Sequence, residues 1–467
     1  MAGVYSAINC CQVSLIHINI SLSKNYKTKM SFKKKNIQKL FYIFVTFHLL
    51  VWTLVPSLTN NNLPLDTIEA LAWGSNLDWG FNKHPPASAF FIEIFYKIFA
   101  NSDWAYYLLS QIFVVISFFV LFNFSGKFFK NKIFGFMSVL LLEGIYFYNY
   151  TTPEFNVYIS ELPFWALTVY FAYKSTVEDN FQDWALLGFF GAIGFLSHYL
   201  FVYLLISIFF YFVYISFKDK KFNFKSLIAL EIFLIMILPH LLWLTENNYI
   251  TISYGMHRTG SNSLDLNFID YFVNPILYLL KQFGVLIPFW IMLFFLVNKF
   301  KIKFNFKDRN FLFLIFINFV PIILIALTSL VTGSKIKTMW MTPFYLFFGL
   351  FFIFLLQEQI NLKKLRSFYI SFLFFFILSP IIYSSVSIVN DNKRTDYPGE
   401  LIANKVQEKW SKKYSKPINV VLGSEWDAGN LSYHLKSRPV WEGFITQDKI
   451  NSFSVFMCID QVCVGNK

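Results

Sequence analysis

The chain has 467 residues, of which 56% are apolar, 21% aromatic and only 14% charged. Soluble domains carry about 25% charged residues, so a soluble enzyme is excluded and a polytopic helical membrane protein is indicated. The net charge of +13 sits in short connections between apolar runs, where the positive-inside rule explains it; no nucleic-acid partner is indicated.

Residues 1–29 hold one short apolar patch, Val13 to Ile20, without spanning length. Met30-Ser31-Phe32-Lys33-Lys34-Lys35 then reads as a natural beginning, a basic cluster ahead of a hydrophobic helix. Residues 1–38 are therefore expected to be a cytoplasmic leader, with 1–29 read either as an extension ahead of a true start at Met30 or as a disordered cytoplasmic segment. The run that follows reads as an uncleaved signal anchor.

Eleven spans are predicted, at about 39–57, 104–125, 133–150, 157–173, 184–217 (two spans, divided at Ser197-His198-Tyr199), 226–244, 271–297, 310–330, 342–356 and 367–389. Gly188, Gly191 and Gly194 suit close helix contact. Residues 87–100, with Glu93 and Lys97 four apart, suit an interfacial helix. The strongly basic connections, such as Lys218-Lys220-Lys221-Lys225 and Lys363-Lys364-Arg366, all fall on one side. The passages rich in acids, His and Pro fall on the other, and the odd count leaves 390–467 there too. That tail changes composition and reads as a small extracytoplasmic α/β domain, with a helix near 398–411, a strand near 418–423 and turns around Gly429 and Pro439. Cys10, Cys11, Cys458 and Cys463 lie outside the apolar bundle; the last two read either as a disulfide, if the tail meets an oxidising compartment, or as two free thiols.

The most chemically loaded passage is 64–86, Pro64-Leu65-Asp66-Thr67-Ile68-Glu69 through Asn82-Lys83-His84-Pro85-Pro86. Asp66 and Glu69 are three apart, which on a helix puts both carboxylates on one face. Lys83 and His84 precede two prolines that fix an extended or turned backbone. A carboxylate pair facing a cationic pair is what group transfer from a phosphate carrier needs. Farther along the same side stand Glu143, Glu154, Glu161, His198, His240, Arg258, Lys335 and Lys337, ionisable groups near membrane depth and therefore suspected of function. Glu154 follows a proline and is expected in a first helical turn. His240 reads either as a core histidine or as a ligand. Lys335 and Lys337 flank one residue, so an extended backbone points both the same way, as a phosphate or diphosphate would require. No Gly-rich nucleotide loop and no His-Glu-x-x-His appears. A divalent ion beside two acids stays open, with an incomplete ligand set.

Asp66-Thr-Ile-Glu-Ala-Leu-Ala-Trp-Gly, followed by Trp79-Gly-Phe-Asn-Lys-His-Pro-Pro, resembles the first outer loop of the family-39-like membrane glycosyltransferases. These include the protein O-mannosyltransferases and the lipid A aminoarabinose transferase. Leu142-Glu-Gly-Ile-Tyr-Phe-Tyr-Asn, Thr152-Pro-Glu-Phe-Asn, Pro239-His-Leu-Leu-Trp and Gly333-Ser-Lys-Ile-Lys are similar to family segments as well. The resemblance implies a GT-C fold, all-α and polytopic, and an inverting transfer from a polyprenyl-phosphate sugar to a hydroxyl of a lipid, glycan or protein acceptor. The expected setting is the outer face of a bacterial inner membrane. It maps the catalytic Asp onto Asp66, the second acidic position onto Glu154 and the basic position before Pro-Pro onto His84. The Glu that usually follows the catalytic Asp is Thr67 here, and Glu69 lies one turn on. Lys83, His84, Arg258, Lys335, Lys337 and His240 would hold the departing phosphate. A flippase or exporter of lipid-linked glycans is the alternative; it would spread acids and cations along a path through the spans rather than gather them at one face.

Overall fold

The first long helix, α1 (Lys34–Thr59), is ringed by apolar residues on every side. Phe41, Phe44, Val45, His48 and Trp52 recur at helical spacing and are buried, whereas Phe47 and Leu54 on the opposite side are 58% and 52% exposed. A helix apolar on its outward face as well as its inward one is made for lipid. The computed structural model describes residues 34–260, 266–297, 300–443, 454–458 and 461–464. The leader up to residue 33, with Cys10 and Cys11, lies outside the described residues, as do the side chains of Cys458 and Cys463.

Among the described residues six helices are long and apolar enough to cross a membrane: 36–59 within α1, then Asp103–Ser125, Tyr199–Asp219, Ser226–Glu246, Arg309–Thr332 and Leu365–Val389. Two further predicted spans are bent pairs, Asp270–Val285 with Ile287–Phe294 at 45° and Thr338–Tyr345 with Phe348–Gln359 at 51°. The remaining three differ from a plain spanning helix. Val157–Val177 is helical but largely buried within the bundle, and Phe181–Ser197 is a shorter apolar helix. The span expected over 133–150 is a helix only over Lys132–Leu140, then breaks into tight 3-10 turns at Leu141–Gly144 and Tyr146–Tyr148. The break has a cause. Glu143 turns inward to meet His48 at 2.7 Å, both sealed from solvent, and Gly144 lets the backbone of Phe289 approach so closely that a Cβ would sit 2.7 Å from it. The helices on either side of Ser197-His198-Tyr199 are separate, as expected.

Four short elements position the site. Helix α2 (Leu65–Asn76) and helix α3 (Ala87–Phe99) lie between the first two spans. The tail adds helix α4 (Gly399–Ser411) and helix α5 (Asp427–His434), with a four-stranded sheet of β1 (Val420–Leu422), β2 (Val440–Glu442), β3 (Ser454–Cys458) and β4 (Gln461–Val464). Its order is β2-β1-β3-β4, with β1 parallel to both neighbours and β3 antiparallel to β4.

The tail is clasped to α2 and α3. Arg438 donates to Glu93 at 2.6 Å and to the Leu71 carbonyl at 2.7 Å, with its guanidinium 3.9 Å above the Tyr96 ring. Asn62 donates to Asn430 at 2.9 Å. Gly429 was expected in a turn; it lies inside α5, where a Cβ would already meet Ala72 and Ile68 of α2 at 3.1 Å.

Gly188 makes the tightest backbone approach of the glycine trio, since a Cβ there would stand 2.3 Å from the Ala229 carbonyl oxygen. Backbone cannot swing aside as a side chain can. Gly188→Ala should therefore lower the stability of the purified protein by about 1–3 kcal/mol. Gly284→Ala, with nothing within 4 Å, should not. Thermal unfolding in detergent, followed by tryptophan fluorescence, checks the contrast.

Candidate active site

Helix α2 starts without a cap of its own. Pro64 precedes it in extended backbone and offers no side-chain acceptor, so the first N–H groups of the helix need partners from elsewhere. One comes from 88 residues away: Glu154 Oε1 accepts the backbone N–H of Asp66 at 2.9 Å. Glu154 is thus not in the first turn of its own helix, as had been expected of it. Asn156 caps that helix instead, accepting from the N–H groups of Tyr158 and Ile159. The dipole that Glu154 meets belongs to α2.

The turn bearing Glu154 is pinned from below. Ser110 and Gln111 both donate to the Thr152 carbonyl, and the Thr152 hydroxyl donates to the Asn149 carbonyl at 2.7 Å. Asn149 in turn donates to Glu143. A buried polar chain therefore runs from the His48–Glu143 pair to the turn that caps α2.

Asp66 and Glu69, one turn apart on α2, both face a cavity of about 560 Å³. Lys83, His84, Arg258 and Lys337 line the same cavity. Lys83 Nζ lies 2.9 Å from Glu69 Oε1 and 3.4 Å from Glu425 Oε2, and Asn82 donates to the other Glu425 oxygen at 2.7 Å. Arg258 sits in the last turn of the helix Ile250–Thr259, an end that favours cations.

The electrostatics follow from this crowding. Burial, then the like charge of Glu154, pushes the Asp66 carboxyl up to about 8, against the pull of Lys83, Arg258 and Arg394. Burial raises Glu154 too, although the Asp66 N–H favours its charged form. Burial also raises Glu69, partly offset by Lys83. Burial draws the Lys83 ammonium down, but Glu69 and Glu425 together hold it above its ordinary value. His84 is driven to about 3 by burial and by Lys83 beside it. It is a neutral ring, not the cation expected before Pro-Pro.

Two expected phosphate ligands stand elsewhere. His240 does not line the cavity. Its Nδ1–H donates to the Trp79 carbonyl at 2.7 Å, which fixes the tautomer, and its Nε2 accepts the Tyr199 hydroxyl at 2.7 Å. With both nitrogens engaged it clamps the loop that carries Lys83, and has no donor left for a phosphate. Lys335 lines an adjoining cavity of about 500 Å³ with Arg258 and Lys337. Lys335 and Lys337 both line that second cavity, and Lys337 alone of the two also lines the Asp66 cavity.

Three residues at or beside the site were not foreseen. Tyr158 and Arg394 line the Asp66 cavity, and Glu425 reaches Lys83 from the tail. Arg394 is held with its guanidinium 5.4 Å from the Trp426 ring centre. A topological signal existed for Arg394, which follows the last span on the same side as α2. None existed for Glu425, which pairs with a residue more than 340 positions away. Among the described residues no group of three or more His, Cys, Asp or Glu side chains is placed to hold a metal ion.

Residues 83–243 match the family model described as dolichyl-phosphate-mannose-protein mannosyltransferase. No curated protein sequence matches the chain significantly. Among solved structures it is similar to ArnT from Cupriavidus metallidurans bound to undecaprenyl phosphate, with a TM-score of 0.61 and 11% identity over 86% of this chain and 85% of that one. The chain has the GT-C fold. The apo state of the same ArnT gives 0.59 and 10% over 85% of each chain. The archaeal oligosaccharyltransferase AglB from Archaeoglobus fulgidus, in complex with an inhibitory peptide and a dolichol-phosphate, gives 0.44 and 10% over 85% of this chain and 64% of that one. The resemblance read from the first loop thus holds for the GT-C architecture of a polytopic membrane chain.

In this GT-C site Glu154→Gln keeps an oxygen to accept the Asp66 N–H and removes the like charge. The Asp66 titration should then move down from about 8. Infrared difference spectra of the protonated carboxyl stretch, taken across a pH series and assigned with Asp66→Asn, measure the shift.

Proposed function

We propose that this chain is an inverting glycosyltransferase that moves a sugar from a polyprenyl-phosphate carrier to an acceptor hydroxyl. One observation carries the reading: a half-buried carboxyl, Asp66, shares one cavity with Lys83, Arg258 and Lys337. A base and a set of cations facing one space are the two halves of such a transfer. The likeness to an ArnT bound to undecaprenyl phosphate supports a lipid carrier, and the match to a mannosyltransferase family model supports sugar transfer.

The acceptor O–H gives its proton to the Asp66 carboxylate as its oxygen bonds to the anomeric carbon. The bond from that carbon to the phosphate oxygen breaks on the opposite side, and its electron pair leaves on the phosphate. Configuration inverts. The phosphate gains a negative charge in the step, and Arg258, Lys337 and Lys83 stabilise it where it develops. Lys83 is held by Glu69 and Glu425, so it is already aimed when the carrier arrives. Glu154 sets the position and proton affinity of Asp66; neutral His84 supplies a hydrogen bond rather than a charge. The lysine-rich connections support a setting in which α2 and the tail face outward from a bacterial inner membrane, where a lipid-borne donor is available and nucleotides are not.

Asp66→Asn should lower transfer from radiolabelled polyprenyl-phosphate sugars by about 10²–10⁴-fold, the usual worth of a general base, with folding and membrane insertion unchanged. A panel of labelled donors, followed for label leaving the carrier, makes the measurement. Full activity in this variant would remove the assignment.

A further inference from the structure

The cavity that holds Asp66 shares a wall with the second cavity, because Arg258 and Lys337 line both. Lys281, Lys335 and His257 line only the second, and among the described residues around it there is no carboxylate. Three separate elements deliver these cations: the helix Ile250–Thr259, the helix Asp270–Val285 and the extended segment 333–337. Their frame is tied together. The Lys335 backbone N–H donates to the Thr259 carbonyl at 2.9 Å, and Asn274 donates to the Gly333 carbonyl at 2.7 Å. Gly260 and Gly333 end their helices with φ of 71° and 68°, the left-handed turn that glycine adopts without strain.

The charge exceeds what one carrier phosphate neutralises. A sugar phosphodiester brings a single negative charge. Arg258, Lys281, Lys335 and Lys337 are four cations, none of them in a salt bridge among the described residues, in contrast to Lys83 with its two carboxylates. Like charges repel, and burial together with Arg258 already holds Lys337 below its ordinary value. Arg258, Lys281 and Lys335 are exposed, and one phosphodiester leaves three of the four charges without a counter-charge.

We propose that the second cavity binds a second phosphate-type anion, held by Lys281 and Lys335, beyond the reacting phosphate held by Arg258 and Lys337. This rests on the transfer reaction proposed above and names the charge class of its substrates: one of them is polyanionic. Two molecules bring such a group, a carrier linked through a diphosphate or a phosphorylated acceptor.

The full-length protein, purified into nanodiscs of uncharged lipid, separates the two. Wild type and K281Q/K335Q are titrated with polyprenyl monophosphate and polyprenyl diphosphate, and with one glycolipid in phosphorylated and dephosphorylated form. Wild type should bind the diphosphate carrier, or the phosphorylated glycolipid, at least about tenfold more tightly than its counterpart, a modest return for two charge-assisted contacts. The double variant should lose that preference while its affinity for the monophosphate stays within about twofold. Preference between carriers identifies the diphosphate source; preference between glycolipids identifies the acceptor. The proposal is overturned if wild type shows neither preference, if the variant retains one, or if anionic phospholipid, added to the discs in a parallel titration, competes equally well. Failure of the transfer reading itself would appear instead as full activity in Asp66→Asn, which these titrations do not touch.

Discussion

Helix α2 follows a proline that fixes the chain but offers no acceptor, so its first N–H groups need a partner from elsewhere. Glu154 does so, and most features of the site follow from that one hydrogen bond. It joins the first interspan passage to the turn before Val157–Val177. It sets a second carboxylate against Asp66 in a buried place, which is why Asp66 holds its proton far more tightly than an exposed aspartate. It also ties the cavity floor to the bundle, since the Glu154 turn hangs from Ser110, Gln111 and Asn149, and through Asn149 from the sealed His48–Glu143 pair. A partly buried cap of this kind is worth on the order of 1–2 kcal/mol, enough to hold a side chain in register without making the helix depend on it.

The tail closes the arrangement. Arg438, Asn430 and Gly429 seat it on α2 and α3, and two of its residues then reach the site. Glu425 shares Lys83 with Glu69. Trp426 supports Arg394, which lines the cavity beside Asp66. The tail is short for an independent enzyme. Its contribution is to complete an electrostatic balance that the spans begin.

Much of this was legible in the residues. The apolar runs and lysine-rich connections gave the bundle, and the three-residue spacing of Asp66 and Glu69 put both in one cavity. The tail helix and first strand were readable from composition and alternation. What was not legible depended on distant partners. A run such as 133–150 looks like one span until His48 offers Glu143 a partner and the helix breaks to reach it. Glu154 looks like a first-turn acid of the following helix until Asn156 takes that role. Gly429 looks like a turn residue until α2 leaves no room for a Cβ. His240 carries no mark in its neighbours of the Trp79 carbonyl and Tyr199 hydroxyl that occupy it. In each case local pattern gave the options and tertiary contact chose among them.

The central claim is that a carboxyl kept protonated near neutrality by burial and by Glu154 must ionise before it accepts the acceptor's proton. The pH dependence of the single-turnover rate of sugar transfer from the carrier tests it most directly. The rate should climb with unit slope and level off above about pH 8, the value at which Asp66 releases its proton. A rate that is flat or falling from about pH 6 to 9 would show that no such ionisation limits the step, and would contradict the account.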